Sequence, residues 1–358
     1  MHIPDKIKKI LEYAIMAPSG DNCQPWRFSY SENKLNVFND PESDFSLYNW
    51  GQRASMVSHG ALLQNIILSS PVLGYKTQIQ FFPNKNNGNH IATITFEKNT
   101  NKENDVMLHS ISKRVTNRKA YDVKKLLYSD RITILKQPDE FTKFAKLFLI
   151  EDPEKIKKIA NAVSVNERIL FENEKMHDFF YGHINWTAQE DFLKKKGFYI
   201  KTLELPGPAL VPFKLFRNWK ILSFFNRLFG FSKKIAKQNS IFYASSSAIG
   251  IISIPSEEPM DYVKTGMFFQ NIWLTATSLG LSLQPLTGIL FLNLRLRHSP
   301  KDFSEQHRIL ITELYEAIKK NAEIPKSENV AITFRIGYSD PPSAKANRYL
   351  IDHFLTSS

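Results

Sequence analysis

One segment occurs twice in this chain, and that repetition sets the frame for its fold. Gly60 is followed by Gln64, Asn65, Ile66, Leu68, Leu73 and Gly74; Gly266 is followed by Gln270, Asn271, Ile272, Leu274, Leu279 and Gly280. Every pair is 206 residues apart, with no gap over fifteen positions. Ala61–Leu73 and Met267–Leu279 are apolar at helical spacing, so both copies are expected as largely buried helices. Gly74 and Gly280 then suit the helix ends, where a left-handed residue is commonly needed. Gln78–Phe82 and Ile91–Phe96 read as strands after the first copy, and Val330–Ile336 after the second. Two helix-plus-strand halves in tandem predict an α+β fold organised about a pseudo-two-fold axis. The matched polar Gln-Asn pair and both bounding glycines argue against a chance likeness of two apolar helices. A second echo, Pro4–Ile10 against Pro153–Ile159, has a different offset and is an ordinary helix start, proline followed by an acidic residue.

The chain has 358 residues, 42% hydrophobic and 13% aromatic, enough to bury a substantial core. Cys23 is the only cysteine, which excludes an intrachain disulfide and any cysteine-based metal cluster. Apolar stretches such as Ile241–Pro255 and Leu286–Leu294 are too short or too polar to span a bilayer. Met1–Lys6 lacks the residue order of a signal peptide, so a cytoplasmic location is expected. The net charge of +12 is compatible with phosphate-bearing cofactors, with anionic membrane surfaces, or with a generally lysine-rich composition. No zinc-finger spacing, RNP-like aromatic strand or basic zipper supports nucleic acid as the partner.

A helix over Pro4–Ala17, with Ile7, Ile10, Leu11, Ala14 and Ile15 on one face, is expected to stop at Pro18. Ser19-Gly20-Asp21-Asn22-Cys23-Gln24-Pro25-Trp26 then leads into a strand over Arg27–Tyr30. Small and amide-bearing residues between helix and strand make a turn rich in hydrogen-bonding groups. The run Ala17–Trp26 resembles the A-P-S-x-x-N-x-Q-P-W element of the nitroreductase family. There, the Pro-Ser-x-x-Asn part contacts the flavin ring from across a dimer interface, which implies Pro18, Ser19, Gly20 and Asn22 as cofactor-binding residues here.

Lys113–Tyr121 is similar to the family's R-x-S-x-R-x-F phosphate element, with Thr for Ser and the aromatic Tyr one position late. Arg114, Thr116, Asn117 and Arg118 are thereby implied at the phosphate, where two guanidiniums and a hydroxyl offer charge-assisted, directed donors. The alternative for this run is a solvated basic helix start. Leu283–Gly288 resembles the loop whose backbone N–H approaches flavin N5, implying Thr287 and Gly288. Phe334–Tyr338, Pro341-Pro342 and Arg348 resemble the closing strand and phosphate-binding tail, with Lys345 as the alternative to Arg348.

Each half carries one side of a flavin site. This resembles the Acg-type branch, in which a single chain mimics the nitroreductase dimer and holds one FMN. The halves are expected at 1–105 and 106–358, the second with a basic-aromatic insertion around 190–240. That insertion has three open readings: a membrane-surface element, a lid, or helices packed on the core. His177, His183, Trp186 and Glu190 do not match a known zinc pattern, and packing is the simpler account. The resemblance implies an FMN-dependent oxidoreductase that uses NAD(P)H to reduce a small-molecule acceptor. The flavin carries the chemistry, with no catalytic side chain and no metal. The alternative is a non-catalytic FMN-binding or sequestering protein. A monomer with an internal pseudo-two-fold, or a weak homo-oligomer, is expected, with no nucleic-acid partner.

Overall fold

The computed structural model of the chain describes residues 3–99 and 106–356. Residue 105, the expected end of the first half, lies outside the described residues, as do Met1 and His2. The first half runs α1 (Asp5–Ala14), β1 (Trp26–Ser31), β2 (Lys34–Asn39), α2 (Arg53–Ser69), β3 (Tyr75–Phe81) and β4 (His90–Lys98). The second opens with α3 (Val106–Lys113), α4 (Tyr128–Leu135), α5 (Asp139–Thr142), β5 (Lys146–Ile150) and α6 (Pro153–Glu172). An inserted region follows: α7 (Glu174–Gly182), β6 (Ile184–Asn185), α8 (Ala188–Lys194), β7 (Phe198–Tyr199), α9 (Leu210–Leu215), α10 (Trp219–Phe229) and α11 (Phe231–Ala244). The chain closes with β8 (Ala248–Ile254), α12 (Pro259–Ser278), β9 (Ser282–Pro285), α13 (Gly288–His298), α14 (Glu305–Asn321) and β10 (Asn329–Gly337).

Two four-stranded sheets result, ordered β1-β2-β4-β3 and β5-β8-β10-β9, with antiparallel neighbours throughout. Numbered within its own half, each sheet reads first-second-fourth-third. The buried helix, α2 or α12, lies between the second and third strand each time. The repeated sequence segment therefore occupies the same topological position twice.

These two helices pack directly on each other, and the matched residues face one another. A Cβ on Gly60 would sit 1.9 Å from the Val263 carbonyl oxygen; one on Gly266 would sit 2.0 Å from that of Val57. Hydrogen at both positions lets the backbones touch. The Gln-Asn pairs then bond crosswise: Gln270 Nε2 donates to Asn65 Oδ1 at 2.8 Å, and Gln64 Nε2 to Asn271 Oδ1 at 3.4 Å. The same atom, Oε1, is left buried and unpartnered on both Gln64 and Gln270. Asn65 also donates to the Tyr13 carbonyl at the end of α1, and Asn271 to Gln137. Polar groups at this depth are costly unless bonded, so the network fixes one register between the helices.

The sheets differ in what covers them. β3 alternates half-buried and exposed residues, the pattern of a strand with one wet face. All seven residues of β8 are buried. Ala248, Ile252 and Ile254 of β8 join the core around α2 and α12, while Ile249 and Ile251 face a second core built with α6, α13, α14 and the insertion. The tail then crosses back to the first half. Leu355 bridges Phe28, Thr356 N–H donates to the Phe28 carbonyl, and Phe354 packs edge-on against Trp26 and Phe28. One core cluster thus runs from Ile3 to Phe354.

Gly74 and Gly280 have φ of +86° and +73°. Gly280 directly follows the α12 C-cap Leu279, whereas Gly74 ends an extra turn beyond α2. Leu283–Gly288, read from sequence as a loop, begins as strand: Leu283, Gln284 and Pro285 pair with Ile336, Arg335 and Phe334. Four residues are too few for alternation to register in sequence.

Gly60→Ala and Gly266→Ala should each lower unfolding free energy by at least about 3 kcal/mol, because the added methyl meets backbone and overpacking cannot relax there. Gly280→Ala, with open space around its Cβ, should cost only about 1 kcal/mol, from its left-handed φ. Urea denaturation of the three variants tests the difference.

Candidate functional site

A cavity of about 1760 Å³ opens between the halves and the insertion, well above the roughly 300–1,000 Å³ of ordinary small-molecule sites. On one side it is bounded by Pro18, Ser19, Gly20 and Asp21, on another by Thr116, Arg118 and Lys119, and on a third by Thr287 and Gly288. Residues of α6, α7, α9 and α11, with Phe216 just after α9, close it with aromatic side chains, including Phe179, Phe213, Phe216 and Phe242.

The Pro18–Trp26 turn is held in a tight, partly left-handed course. Asp21, Asn22 and Gln24 have φ of +47°, +53° and +52°, a region Asp and Asn tolerate better than most residues and Gln does not. Several bonds over-determine it. Ser19 Oγ accepts from Gln24 N–H, Gln24 Nε2 donates to the Lys195 carbonyl, and Gln24 Oε1 accepts from Tyr349 N–H. Gly197 N–H donates to the Asp21 carbonyl, tying the insertion to the same turn. Asn22 does not line the cavity: its Nδ2 donates to the Asn347 carbonyl at 2.8 Å, while its Oδ1 is buried without a partner. Its amide nitrogen thus holds the C-terminal tail, one residue away from the cavity-lining Asp21.

The two arginines of the second motif separate. Arg118 lines the cavity, donating from Nη1 to the Thr202 carbonyl and lying 5.4 Å from the Phe198 ring centroid. Arg114 lies behind the wall, 3% exposed, stacked on Trp273 at 4.5 Å and donating to the Met16 carbonyl. Arg348 donates to the Ile15 and Ala17 carbonyls, and Lys345 to that of Ser112.

These three cations gather just behind Pro18, and among the described residues none forms an ion pair with a carboxylate. Burial, then Arg348, holds Arg114 well below the usual guanidinium range. Burial brings Arg348 down to about 10. Desolvation, then repulsion from Arg114 and Arg348, brings the Lys345 ammonium to about 8. Arg114 Nε is buried with no partner. Asn117 is not in the cavity: its amide donates to Ser282 Oγ and the Asp340 carbonyl, and its role is to pin the segment against β9.

Thr287 and Gly288 open α13, whose first turn leaves N–H groups without intrahelical partners. Thr287 makes no side-chain cap. A Cβ on Gly288 would fall 2.3 Å from Asn166 Oδ1, so only glycine lets α6 come this close.

A polar cluster that sequence reading missed stands on α6 and α11. Tyr243 Oη donates to Glu167 Oε1 at 3.0 Å, and Tyr48 Oη to Asn166 Oδ1 at 2.9 Å. Glu167 Oε2 is buried and unpartnered. Burial pushes the Glu167 carboxyl up to about 7, against opposing hydrogen bonds from Tyr243, Asn166 and Asn239. Asp21 also rises to about 7, through burial and the neighbouring Asp44, with Arg118 pulling the other way. The cavity therefore holds two carboxyls able to keep or release a proton near neutrality. Residues 76 apart in sequence carry no local pattern to reveal such a pair.

Elsewhere, His177 is fully buried between Asp178 and the Phe216 carbonyl, and Glu190 accepts from Trp186 N–H. Among the described residues no cluster of His, Cys, Asp or Glu could hold a metal ion. No helix there is long and apolar enough to cross a membrane. Burial raises the Cys23 thiol well above its usual value, so it stays protonated.

No family model matches the chain. It is 23% identical over 346 residues, 95% of this chain and 46% of the relative, to an uncharacterized protein of Mycobacterium tuberculosis. It is 30% identical over 123 residues, 34% of this chain and 36% of the relative, to a protein of the same organism named "Putative NAD(P)H nitroreductase". These matches span less than half of the length of either relative. A nitroreductase-like family protein of solved structure from Bacillus cereus aligns over 73% of this chain and 99% of its own, with a TM-score of 0.38 and 14% identity.

Folded-state values near 7 for Asp21 and Glu167, against ordinary values of 3.8 and 4.5, mean that the native chain binds more protons than the unfolded chain across that window. Stability therefore falls as pH rises from about 4.5 to 7. Glu167→Gln should remove on the order of 1–3 kcal/mol of the difference between pH 5 and pH 8. Urea denaturation of both proteins at the two pH values measures it; an unchanged difference would mean that Glu167 titrates normally.

Proposed function

We propose that the chain is a nitroreductase-like, FMN-dependent oxidoreductase, internally duplicated, that binds one FMN between its halves. The observation that carries this is the Arg114–Lys345–Arg348 cluster behind Pro18. Three mutually repelling cations, one with a buried unpartnered Nε, are costly to gather unless an anion joins them. A phosphate supplies that anion, and the adjoining cavity has room for a ring system beside it. A relative's name supports the same reading: it is called a "Putative NAD(P)H nitroreductase".

Bound there, FMN would supply hydride transfer through its N5, from NAD(P)H to a small organic acceptor. The chain's own residues bind, orient and shield. Arg114, Arg348 and Lys345 neutralise phosphate, while Thr116 and Arg118 offer a hydroxyl and a guanidinium on the cavity side. Pro18, Ser19 and Gly20 form one wall. Thr287 and Gly288 present first-turn N–H groups, which favour a partially negative atom. Glu167 holds a proton within the cavity wall.

A second reading, an FMN-binding or sequestering protein without turnover, is favoured by one feature. Helices α7, α9 and α11 close over the cavity with aromatic side chains, which limits access by a second substrate.

Purified protein should be yellow and bleach on anaerobic addition of NADH or NADPH; a yellow protein that neither reduces supports the sequestering role, and a colourless protein that takes up no FMN overturns both. Arg114→Ala with Arg118→Ala should weaken FMN binding on the order of 100-fold or more, from two charge-assisted bonds. In the wild-type protein FMN affinity should fall as pH rises through about 8, because Lys345 loses its charge there. Fluorescence titration with FMN across pH reads both effects.

A further inference from the structure

From Leu205 to Ser256 the chain carries no acidic residue, yet it holds Lys214, Arg217, Lys220, Arg227, Lys233, Lys234 and Lys237. All seven are exposed. Uncompensated charge of one sign over fifty residues is not needed to solvate helices, since mixed charge does that without self-repulsion.

The same stretch exposes large apolar side chains. Leu228 is 58% and Phe229 55% exposed at the end of α10; Val211, Leu215, Phe224 and Ile241 are similarly open. On α10, Lys220, Phe224, Arg227 and Leu228 follow at i, i+4, i+7 and i+8 and so share one face. The other side is anchored: Leu222 is fully buried, and Phe225 packs on Phe216 with centroids 5.4 Å apart. Lys233, Lys237 and Ile241 share a face of α11 in the same way, while Ala236 and Tyr243 are buried. Cations and exposed aromatic or aliphatic side chains on one helical face are the composition of an interfacial helix.

We infer that the outer faces of α9, α10 and α11 form a docking surface for an anionic lipid bilayer. Phe224, Leu228 and Phe229 enter the headgroup boundary, and Lys214, Arg217, Lys220, Arg227, Lys233 and Lys237 meet lipid phosphates, Lys234 being turned to the cavity side. A second copy of the chain fits this surface poorly, because a two-fold contact would set six like charges against six. Nucleic acid would use the cations but leave the exposed Phe and Leu side chains without a role. The inner sides of α9 and α11 carry Phe213, Phe231 and Phe242 into the cavity wall, with Phe216 just after α9. Docking therefore places the cavity's apolar side against the membrane.

The test is co-sedimentation of the full chain with vesicles of phosphatidylcholine alone and of an equal mixture with phosphatidylglycerol. Pelleting is expected with the mixed vesicles at low salt, and its loss at high salt. Phe224→Ser with Leu228→Ser should weaken it at least about tenfold, and so should Lys220→Gln with Arg227→Gln. None of these four residues lines the cavity, so the circular dichroism spectrum serves as the folding control. Absence of pelleting at low salt overturns the inference, as does pelleting indifferent to the paired serine substitutions. Binding to duplex DNA without binding to mixed vesicles, or dimerisation abolished by the serine pair, assigns the surface to those partners instead.

Discussion

The backbone-to-backbone contact between α2 and α12 governs the rest of the molecule. Val57 and Val263 carbonyls occupy the space that side chains at Gly266 and Gly60 would need, so the two helices approach as closely as polypeptide allows. At that separation short amide side chains reach across, and Gln270–Asn65 and Gln64–Asn271 can bond. The sheets are carried on either side of this pair. The Pro18 turn, at the end of α1, is positioned because Asn65 of α2 holds the Tyr13 carbonyl. Trp273 of α12 in turn supports the Arg114 guanidinium. Both sides of the candidate site therefore descend from one helix contact.

That contact is also the part of the fold most legible in sequence. The glycines, the Gln-Asn pair and their constant offset are local patterns, and each became a facing pair in three dimensions. Strands β3, β4 and β10 were visible from composition and β9 was not, because four residues paired at the edge of β10 give no periodicity. The site was legible only as motifs. Pro18, Ser19, Gly20, Thr116, Arg118, Thr287 and Gly288 share a cavity, whereas Asn22 and Asn117 are spent on backbone carbonyls of the tail and of Asp340. An amide's direction is decided by neighbours hundreds of residues away, which no local pattern encodes. Arg335 shows the same limit: fully buried, it stacks on Tyr121 and donates to Gln284 and two carbonyls, a structural rivet within the closing strand.

The two halves share a topology but not an environment, and this asymmetry sets where the large cavity lies. The outer face of the first sheet stays partly wet, as β3 shows. In the second sheet, β8 is buried on both faces because α6 and the insertion helices cover it. The cavity lies under that cover. The tail reinforces the difference by returning to β1 and bringing Lys345 and Arg348 beside Arg114.

Charge is distributed by the same logic. Inside, Asp21 and Glu167 are held near neutral pH by burial, so their negative charge is partly withdrawn while Arg114, Arg118 and Arg348 keep theirs. A site with carboxyls half-discharged and guanidiniums fixed presents positive potential to whatever enters, without requiring an excess of basic residues. Outside, the excess is real: the stretch from Leu205 to Ser256 has seven cations and no anion. The net charge of +12 is thus not one property but two, a small buried group tuned by desolvation and a larger exposed group tuned by composition. Salt should screen the second far more than the first, so the cavity's affinity for an anion and the surface's affinity for one are separable by ionic strength alone.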